Sequence, residues 1–174
     1  MNVSNWISLV SVVLAAFGGF FTLFQWYKKI KLKRSEYILN ILEKIRNDKR
    51  ISNVIYMIEY SEKWYGYDFH NDKNLEPQVD YTLSFFSYIC YLKNKNLISK
   101  YEFKFLEYEV TRIVTNPQVQ NYLYNVYHFS KHVKTEFCFS YLKEYAEKQN
   151  LLLEGFEDDD SYSKYKYFKK YLNW

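Results

Sequence analysis

Residues 6–26 of this 174-residue chain read WISLVSVVLAAFGGFFTLFQW, and no Asp, Glu, Lys, Arg or His precedes Lys28. An α-helix rises about 1.5 Å per residue, so about 21 residues are enough to cross the ~30 Å hydrocarbon layer of a bilayer. Trp6 and Trp26 lie at the two ends, where aromatic rings favour the level of the lipid headgroups. A buried helix of a soluble protein seldom combines this length with aromatic ends. The stretch therefore predicts one transmembrane helix, with residues 1–27 as the membrane anchor.

The charges that flank this helix predict its orientation. Lys and Arg are retained on the cytoplasmic side of a membrane, and five of them follow the helix at once. We therefore expect the N-terminus outside and residues 28–174 in the cytoplasm. A cleaved signal peptide would instead carry basic residues before a shorter apolar core. The predicted membrane-interface residues are Trp6, Trp26, Tyr27, Lys28, Lys29, Lys31, Lys33 and Arg34.

The net charge of +4 is concentrated beside the predicted membrane surface. Residues 28–50 hold nine basic residues against three acids, whereas the rest of the chain holds 15 basic and 17 acidic residues. A basic segment next to a span attracts anionic lipid headgroups, at about 1 kcal/mol per basic residue near the surface. The lipid bilayer is therefore the expected partner of this segment, and nucleic acid is the alternative.

The remaining sequence predicts an all-α fold. Apolar residues recur at steps of three and four, no stretch alternates with a period of two, and the chain has only four Gly and two Pro. We expect the span to continue as a basic juxtamembrane helix over residues 28–47, followed by a bundle of five or six helices over residues 48–153. The signals that predict helix starts are Pro77, the pair Ser99 and Glu102, Asn116 with Pro117, and Thr135.

Residues 154–174 form a tail of different composition. It begins with Glu154, Glu157 and Asp158–Asp160, and ends with the basic and aromatic run SYSKYKYFKKYLNW. Packing against the helical body is one interpretation. Return to the membrane surface, or contact of the acidic residues with the basic segment, is the other.

Small residues follow one side of the predicted span. Steps of three and four residues separate its members, so they share one helix face. Small side chains let two membrane helices approach closely, which predicts a seam for self-association or for a partner span. Such residues are also common in membrane helices that make no contact. The members of the stripe are Ser8, Ser11, Ala15, Gly18 and Thr22, with Gly19 beside them.

The 20 Tyr and 14 Phe residues have two possible uses. Most of the tyrosines fall on the apolar helix faces, which predicts that they fill the core while their hydroxyl groups reach its edge. Exposed tyrosines next to lysines would instead stack on nucleic acid bases, for which residues 162–174 are the best candidates.

No pattern in the chain indicates catalysis or metal binding. His128 and His132 are four residues apart but lack a third ligand, and His70 stands with Asp68 and Asp72 in no known ligand spacing. A phosphate-binding glycine loop, a nucleophile elbow and a CxxC pair are absent. Cys90 and Cys138 are predicted to be small core residues. We therefore expect a protein without enzymatic activity, cofactor or metal, although carboxylates brought together by folding would escape this search.

Residues 6–48, with AAFGGFFTLFQW leading into KLKRSEYILNILEKIRND, resemble the opening of a widespread group of small, uncharacterised bacterial membrane proteins. In that group, one N-terminal span precedes a basic helix and an all-α domain of about this size. The resemblance implies a single-pass protein of the bacterial inner membrane. Some proteins of this layout accompany phage-defence or other accessory modules, which implies a role as an effector or partner.

These observations predict a membrane-anchored, non-enzymatic protein whose helical domain binds a partner or ligand and acts as a homo-oligomer or with a partner membrane protein. The alternative is a membrane-tethered sensor of nucleic acid or nucleotides, which would bind RNA or DNA in a salt-dependent manner. A third class is an enzyme with a helical active site.

Overall fold

The computed structural model of the protein describes residues 3–60, 63–66, 69 and 72–158, apart from the side chains of residues 3–5 and 9. The helices in these residues are α1 (Val3–Asn47), α2 (Lys49–Glu59), α3 (Leu75–Asn94), α4 (Lys100–Thr115), α5 (Pro117–His132) and α6 (Ser140–Lys148). The prediction of an all-α fold is confirmed: one long apolar N-terminal helix precedes five further helices, and the described residues contain no strand.

Helix α1 is a single helix of 45 residues, as expected for a span that continues to Asn47. Its polar side chains bond within the helix: the Ser11 hydroxyl donates to the Ile7 carbonyl at 2.9 Å, and the Thr22 hydroxyl donates to the Gly18 carbonyl at 2.8 Å. The boundary between two compact units of the chain falls between Ile41 and Leu42. The apolar part of α1 therefore belongs to the first unit, and its last turn belongs to the second.

The second unit, which we call the body, is organised around α3. This helix packs mainly against α6 and α2, while α4 packs against α5, α2, α3 and α6. The inner face of α3 carries Val79, Leu83, Phe86 and Ile89, all without exposed surface. Their steps of four and three residues place them on one side of the helix, so the core is formed by the periodicity that the sequence displays.

Two predicted helix starts are confirmed. At α4, the Ser99 backbone N–H donates to the Glu102 carboxylate at 2.6 Å and the Glu102 N–H donates to the Ser99 hydroxyl oxygen at 3.2 Å, which completes a capping box. At α5, the Asn116 side chain accepts the N–H groups of Gln118 and Val119.

Two other predicted starts are wrong. Helix α3 begins at Leu75, because Asp72 accepts the N–H groups of Asn74 and Leu75, so Pro77 is its third residue. Helix α6 begins only at Ser140. Phe139 holds the cap position of α6, and Thr135 belongs instead to the turn that ends α5, where its N–H donates to the Ser130 carbonyl at 2.9 Å.

That turn is a Schellman motif, with Lys134 in the left-handed conformation at φ 58°. The same turn ends α3 at Asn96 and α6 at Asn150, where φ is 55° in both cases. A chain with four Gly thus ends three helices with residues other than Gly, which the sequence alone did not indicate.

Residues 151–158 continue from α6 along the surface of α5. The Gln120 amide group donates to the Leu151 carbonyl at 2.9 Å, and a His128 ring nitrogen lies 2.9 Å from the Phe156 carbonyl. Lys143 of α6 pairs with Glu157 at 2.6 Å, and this contact lowers the pKa of Glu157. The beginning of the predicted tail therefore packs against the body. Residues 159–174 lie outside the described part of the chain.

Candidate membrane anchor and interaction surfaces

The N-terminal part of α1 is apolar on all sides, and its side chains are exposed. The described large apolar side chains from Trp6 to Trp26 all lie on the surface, and Phe20 is 78% exposed. An exposed apolar area of this extent is unfavourable in water, whereas a helix satisfies its backbone hydrogen bonds internally and tolerates lipid. Helix α1 is therefore a candidate membrane span by its length and composition.

The predicted membrane-interface residues lie at the two ends of this apolar part. Trp6, Trp26 and Tyr27 are exposed, as are the four lysines that follow them, while Arg34 is half-buried. The ammonium group of Lys28 lies 4.8 Å from the centre of the Phe24 ring, one turn earlier. These residues thus present a ring of aromatic and cationic groups where the apolar surface ends.

The small residues of the span leave an open strip on this surface. Ser8, Ser11, Ala15 and Thr22 are exposed, and a Cβ atom placed on Gly18 or Gly19 would meet no atom within 4 Å. The Ser11 and Thr22 hydroxyls already bond to the helix backbone, so close packing is the main interaction that the strip offers. Its role as an association seam stays a prediction.

A polar joint connects α1, α2 and α3. Asp48 caps α2 by accepting the Arg50 N–H at 3.0 Å, and it binds the Arg50 guanidinium through both carboxylate oxygens, at 3.0 and 2.7 Å. The Arg50 guanidinium lies 3.8 Å from the centre of the Tyr81 ring on α3, and Lys44 of α1 lies 5.1 Å from the Phe85 ring. The hydrogen bond with Arg50 lowers the pKa of Asp48 to about 2. The last turn of α1 is thereby held against α3.

Helix α4 carries an exposed aromatic surface. Tyr101, Phe105 and Tyr108 are 80%, 69% and 67% exposed, and their spacing of four and three residues places them on one side of the helix. We call these three residues the α4 face. The opposite side of α4 is buried in the body through Phe103, Leu106, Val110, Ile113 and Val114.

The α4 face is an addition to the prediction that most tyrosines fill the core while their hydroxyl groups reach its edge. Among the described tyrosines, Tyr122, Tyr124 and Tyr145 are buried and five more are half-buried, whereas the others, including Tyr56 and Tyr60 of α2, are exposed. Sequence reasoning missed this surface because an exposed Tyr and a buried Tyr follow the same helical spacing. The neighbouring lysines were the available signal.

A cavity of about 260 Å³ lies between the end of α3 and α6. Its charged groups are already paired: Glu144 accepts hydrogen bonds from Asn94 at 2.8 Å and from Lys148 at 2.6 Å, and Lys93 lies 4.0 Å from the Phe103 ring centre. Burial raises the pKa of Cys90 to about 12, so this thiol stays protonated and is a poor nucleophile. The cavity therefore offers no group prepared for chemistry.

The histidine arrangements of the sequence do not form a ligand set in the described residues. The buried His128 contacts the Phe156 carbonyl, and His132 is exposed at the end of α5. No group of three His, Cys, Asp or Glu residues that could hold a metal occurs in this part of the chain. His70 and Asp68 lie outside the described residues.

No family model matches the chain, and no curated protein or solved structure matches it either. Of the resemblance predicted from residues 6–48, the structure shows the layout, which is one apolar N-terminal helix followed by a helical remainder.

Proposed function

We propose that this protein is a membrane-anchored, non-enzymatic interaction protein that acts as an oligomer at the bacterial inner membrane. Residues 1–27 are the anchor, the N-terminus is outside, and residues 28–174 are cytoplasmic. The body binds a protein partner or ligand, in the manner of an effector or accessory component such as those of phage defence. The observation that carries the proposal is the continuous exposed apolar surface of α1 between Trp6 and Trp26.

Lipid is the solvent that this surface fits. Covering one large apolar side chain is worth about 1.5–3 kcal/mol, and the span exposes many of them in succession, including Phe17, Phe20, Phe21 and Phe24. The basic residues that follow support the cytoplasmic placement of the body, since positive charge is retained on that side and is attracted to anionic lipid.

Oligomer formation is supported by the open strip at Gly18 and Gly19, where a second helix can approach the backbone closely. The joint at Asp48, Arg50 and Tyr81 supports a mechanism for signalling. Because this joint holds the last turn of α1 against α3, a change of tilt or rotation in the span reaches the core of the body.

The experiment is the mass of the full-length protein in mild detergent, after a test of its resistance to carbonate extraction from membranes. We expect a carbonate-resistant protein of defined oligomeric mass, which the double variant Gly18→Leu/Gly19→Leu converts to monomer. The matched control is Val13→Leu/Phe20→Leu, whose positions lie about half a turn away around the helix and should leave the oligomer intact. Extraction by carbonate would exclude the anchor, and a monomeric wild type would exclude the oligomer.

A membrane-tethered sensor of nucleic acid or nucleotides is the second candidate function. The exposed Tyr101 and Phe105 lie next to Lys100 and Lys104, and aromatic rings beside cations are the groups that bind single strands. This function predicts that the full-length protein retains labelled RNA at low salt and releases it as the salt concentration rises. Absence of retention at low salt would remove it.

A further inference from the structure

The α4 face is the largest aromatic surface that one helix of the body exposes among the described residues. Three aromatic side chains with more than two thirds of their surface exposed represent roughly 400 Å² of accessible area. Part of Tyr108 is covered by the Arg112 guanidinium, which lies 5.3 Å from the ring centre. A patch of this size is comparable with the largest apolar patch of a typical monomer, which is often functional.

The charges beside the α4 face have an unequal distribution along the helix. Lys100, Lys104 and Glu107 follow one flank at steps of four and three residues, with the lysines in the first half of α4 and the acid in the second. Among the described residues, the ion pairs are formed by side chains other than these three, which leaves their charges for an external partner. On the other flank, Glu102 is bound by the Ser99 N–H and Glu109 by Arg112, so both acids are satisfied within the chain.

We infer that the α4 face is the contact surface between the bodies of two copies of this chain, paired antiparallel about a two-fold axis close to Phe105. In this arrangement Tyr101 of one copy opposes Tyr108 of the other. Glu107 of the second copy then falls level with residue 102, between Lys100 and Lys104, each about 3 Å away along the helix axis. A two-fold contact uses the same surface on both copies, which this self-complementary charge pattern fits.

The same charges disfavour the other possible occupants. A parallel two-fold pair would instead bring this flank against the Glu102 and Glu109 flank of the other copy, whose two acids are already bound within their own chain. An anionic membrane or a nucleic acid strand would be attracted by Lys100 and Lys104 and repelled by Glu107. A second copy in antiparallel orientation is the occupant that matches both signs.

The size of the face predicts that the contact depends on the anchor. A stable interface buries about 800 Å² per partner, and the α4 face supplies about half of that area. Two bodies tethered to one membrane meet at a high effective concentration, so a contact that is weak in solution becomes populated. The inference therefore rests on the proposed function, for which it names the partner and the surface.

Disulfide trapping in membranes that contain the full-length protein tests the pairing. All variants carry Cys138→Ser, and Cys90 stays in place because it is buried. We expect Phe105→Cys to form a cross-linked dimer after mild oxidation. Tyr101→Cys should cross-link with Tyr108→Cys when the two variants are mixed but not with itself, since two copies of position 101 would lie about 10 Å apart along the axis.

Charge exchange provides a test that leaves the core untouched. In the Phe105→Cys background, Lys100→Glu/Lys104→Glu should lower the yield of cross-linked dimer about three- to tenfold, and adding Glu107→Lys should restore it. The matched control is Lys49→Glu in the first turn of α2, which should leave the yield unchanged.

The outcomes separate this inference from the proposed function. An oligomer that forms without these cross-links, or that cross-links equally with Lys100→Glu/Lys104→Glu, would overturn the inference alone. Protection of the introduced thiol at position 105 from a water-soluble maleimide, without cross-linking, would assign the face to lipid or to a different protein and would also overturn it. A protein that does not insert or is monomeric would remove both.

Discussion

The apolar part of α1 and the central helix α3 carry similar apolar side chains, which are exposed in α1 and buried in α3. Phe20 of α1 is 78% exposed, whereas Phe86 of α3 has no exposed surface. Helix α3 contains the charged residues Glu76, Asp80 and Lys93, whereas α1 has no charged residue before Lys28. Apolar content alone does not tell a core helix from a span. The presence of charged residues within the helix does, because they are costly in lipid but tolerated where part of the helix meets water.

The sharpest test of this comparison truncates the same residue type in both helices. Phe86→Ala removes a ring from the packed core and should lower the free energy of unfolding of the body by about 3–5 kcal/mol. Phe20→Ala removes a ring that is 78% exposed and should leave this value nearly unchanged. Urea denaturation of the full-length protein in detergent, followed by near-UV circular dichroism, measures both. Equal losses in the two variants would contradict the assignment of Phe20 to a separate apolar surface.

A charge placed on each exposed surface gives the next largest effect. Leu14→Arg puts a cation near the middle of the span and should reduce insertion by about 2.5–3.5 kcal/mol. Tyr56→Arg, on the exposed side of α2, should change stability by less than about 0.5 kcal/mol because that side meets water. The fraction of protein that resists carbonate extraction measures insertion. An unchanged fraction for Leu14→Arg would show that lipid does not surround this position.

Ser99 at the start of α4 and Ser11 of α1 allow the two regions to be compared through the loss of a single hydroxyl group. Ser99 caps α4 through the Glu102 N–H, so Ser99→Ala should cost about 1 kcal/mol and lower the melting temperature of the body by about 2–4 °C. Ser11 bonds to a carbonyl group within its own helix, and Ser11→Ala should have almost no effect on this temperature. Thermal unfolding of both variants in detergent is the measurement, and equal shifts would be the contrary result.

The smallest expected effect is a pH dependence of the free energy of unfolding of the body, without a matching change in the insertion of the span. Arg50 lowers the pKa of Asp48 to about 2, so this carboxylate stabilises the fold above about pH 4 and loses its contribution as the pH falls from about 4 to about 2. Asp48→Asn keeps a good helix cap but removes the charge, so the free energy of unfolding should change less with pH in this interval. The span holds no Asp, Glu, Lys, Arg or His between residues 6 and 27, so its insertion should not change there. An identical pH dependence in wild type and Asp48→Asn would contradict the role of this pair.

Local patterns predicted the parts of the fold that depend on neighbours in sequence. The capping box of Ser99 and Glu102 and the Asn116-Pro117 start involve groups three residues apart or fewer, so they are visible in the sequence. The start at Pro77 was misassigned because Asp72 accepts the N–H groups of Asn74 and Leu75 and so begins α3 earlier, and the start at Thr135 was misassigned because this residue belongs to the turn that ends α5. Such competition depends on how the chain turns, which residue preferences do not specify.

The contacts that complete the body join residues far apart in the chain, and the tertiary structure alone reveals them. Tyr122 hydrogen-bonds to Asp80, Gln120 binds the Leu151 carbonyl, and Lys143 pairs with Glu157. None of these pairs follows from spacing, because each depends on how two helices, or a helix and a later segment, come together.

By itself, the sequence determined that this protein is all-α and begins with a helix suited to a membrane, because length, apolarity and the absence of charge act residue by residue along one helix. It did not determine which apolar and aromatic faces are covered. Phe103 and Phe105 stand two residues apart on α4, and one is buried while the other is exposed. Only the arrangement of the neighbouring helices decided between them, since burial depends on what packs against a face and not on the face alone.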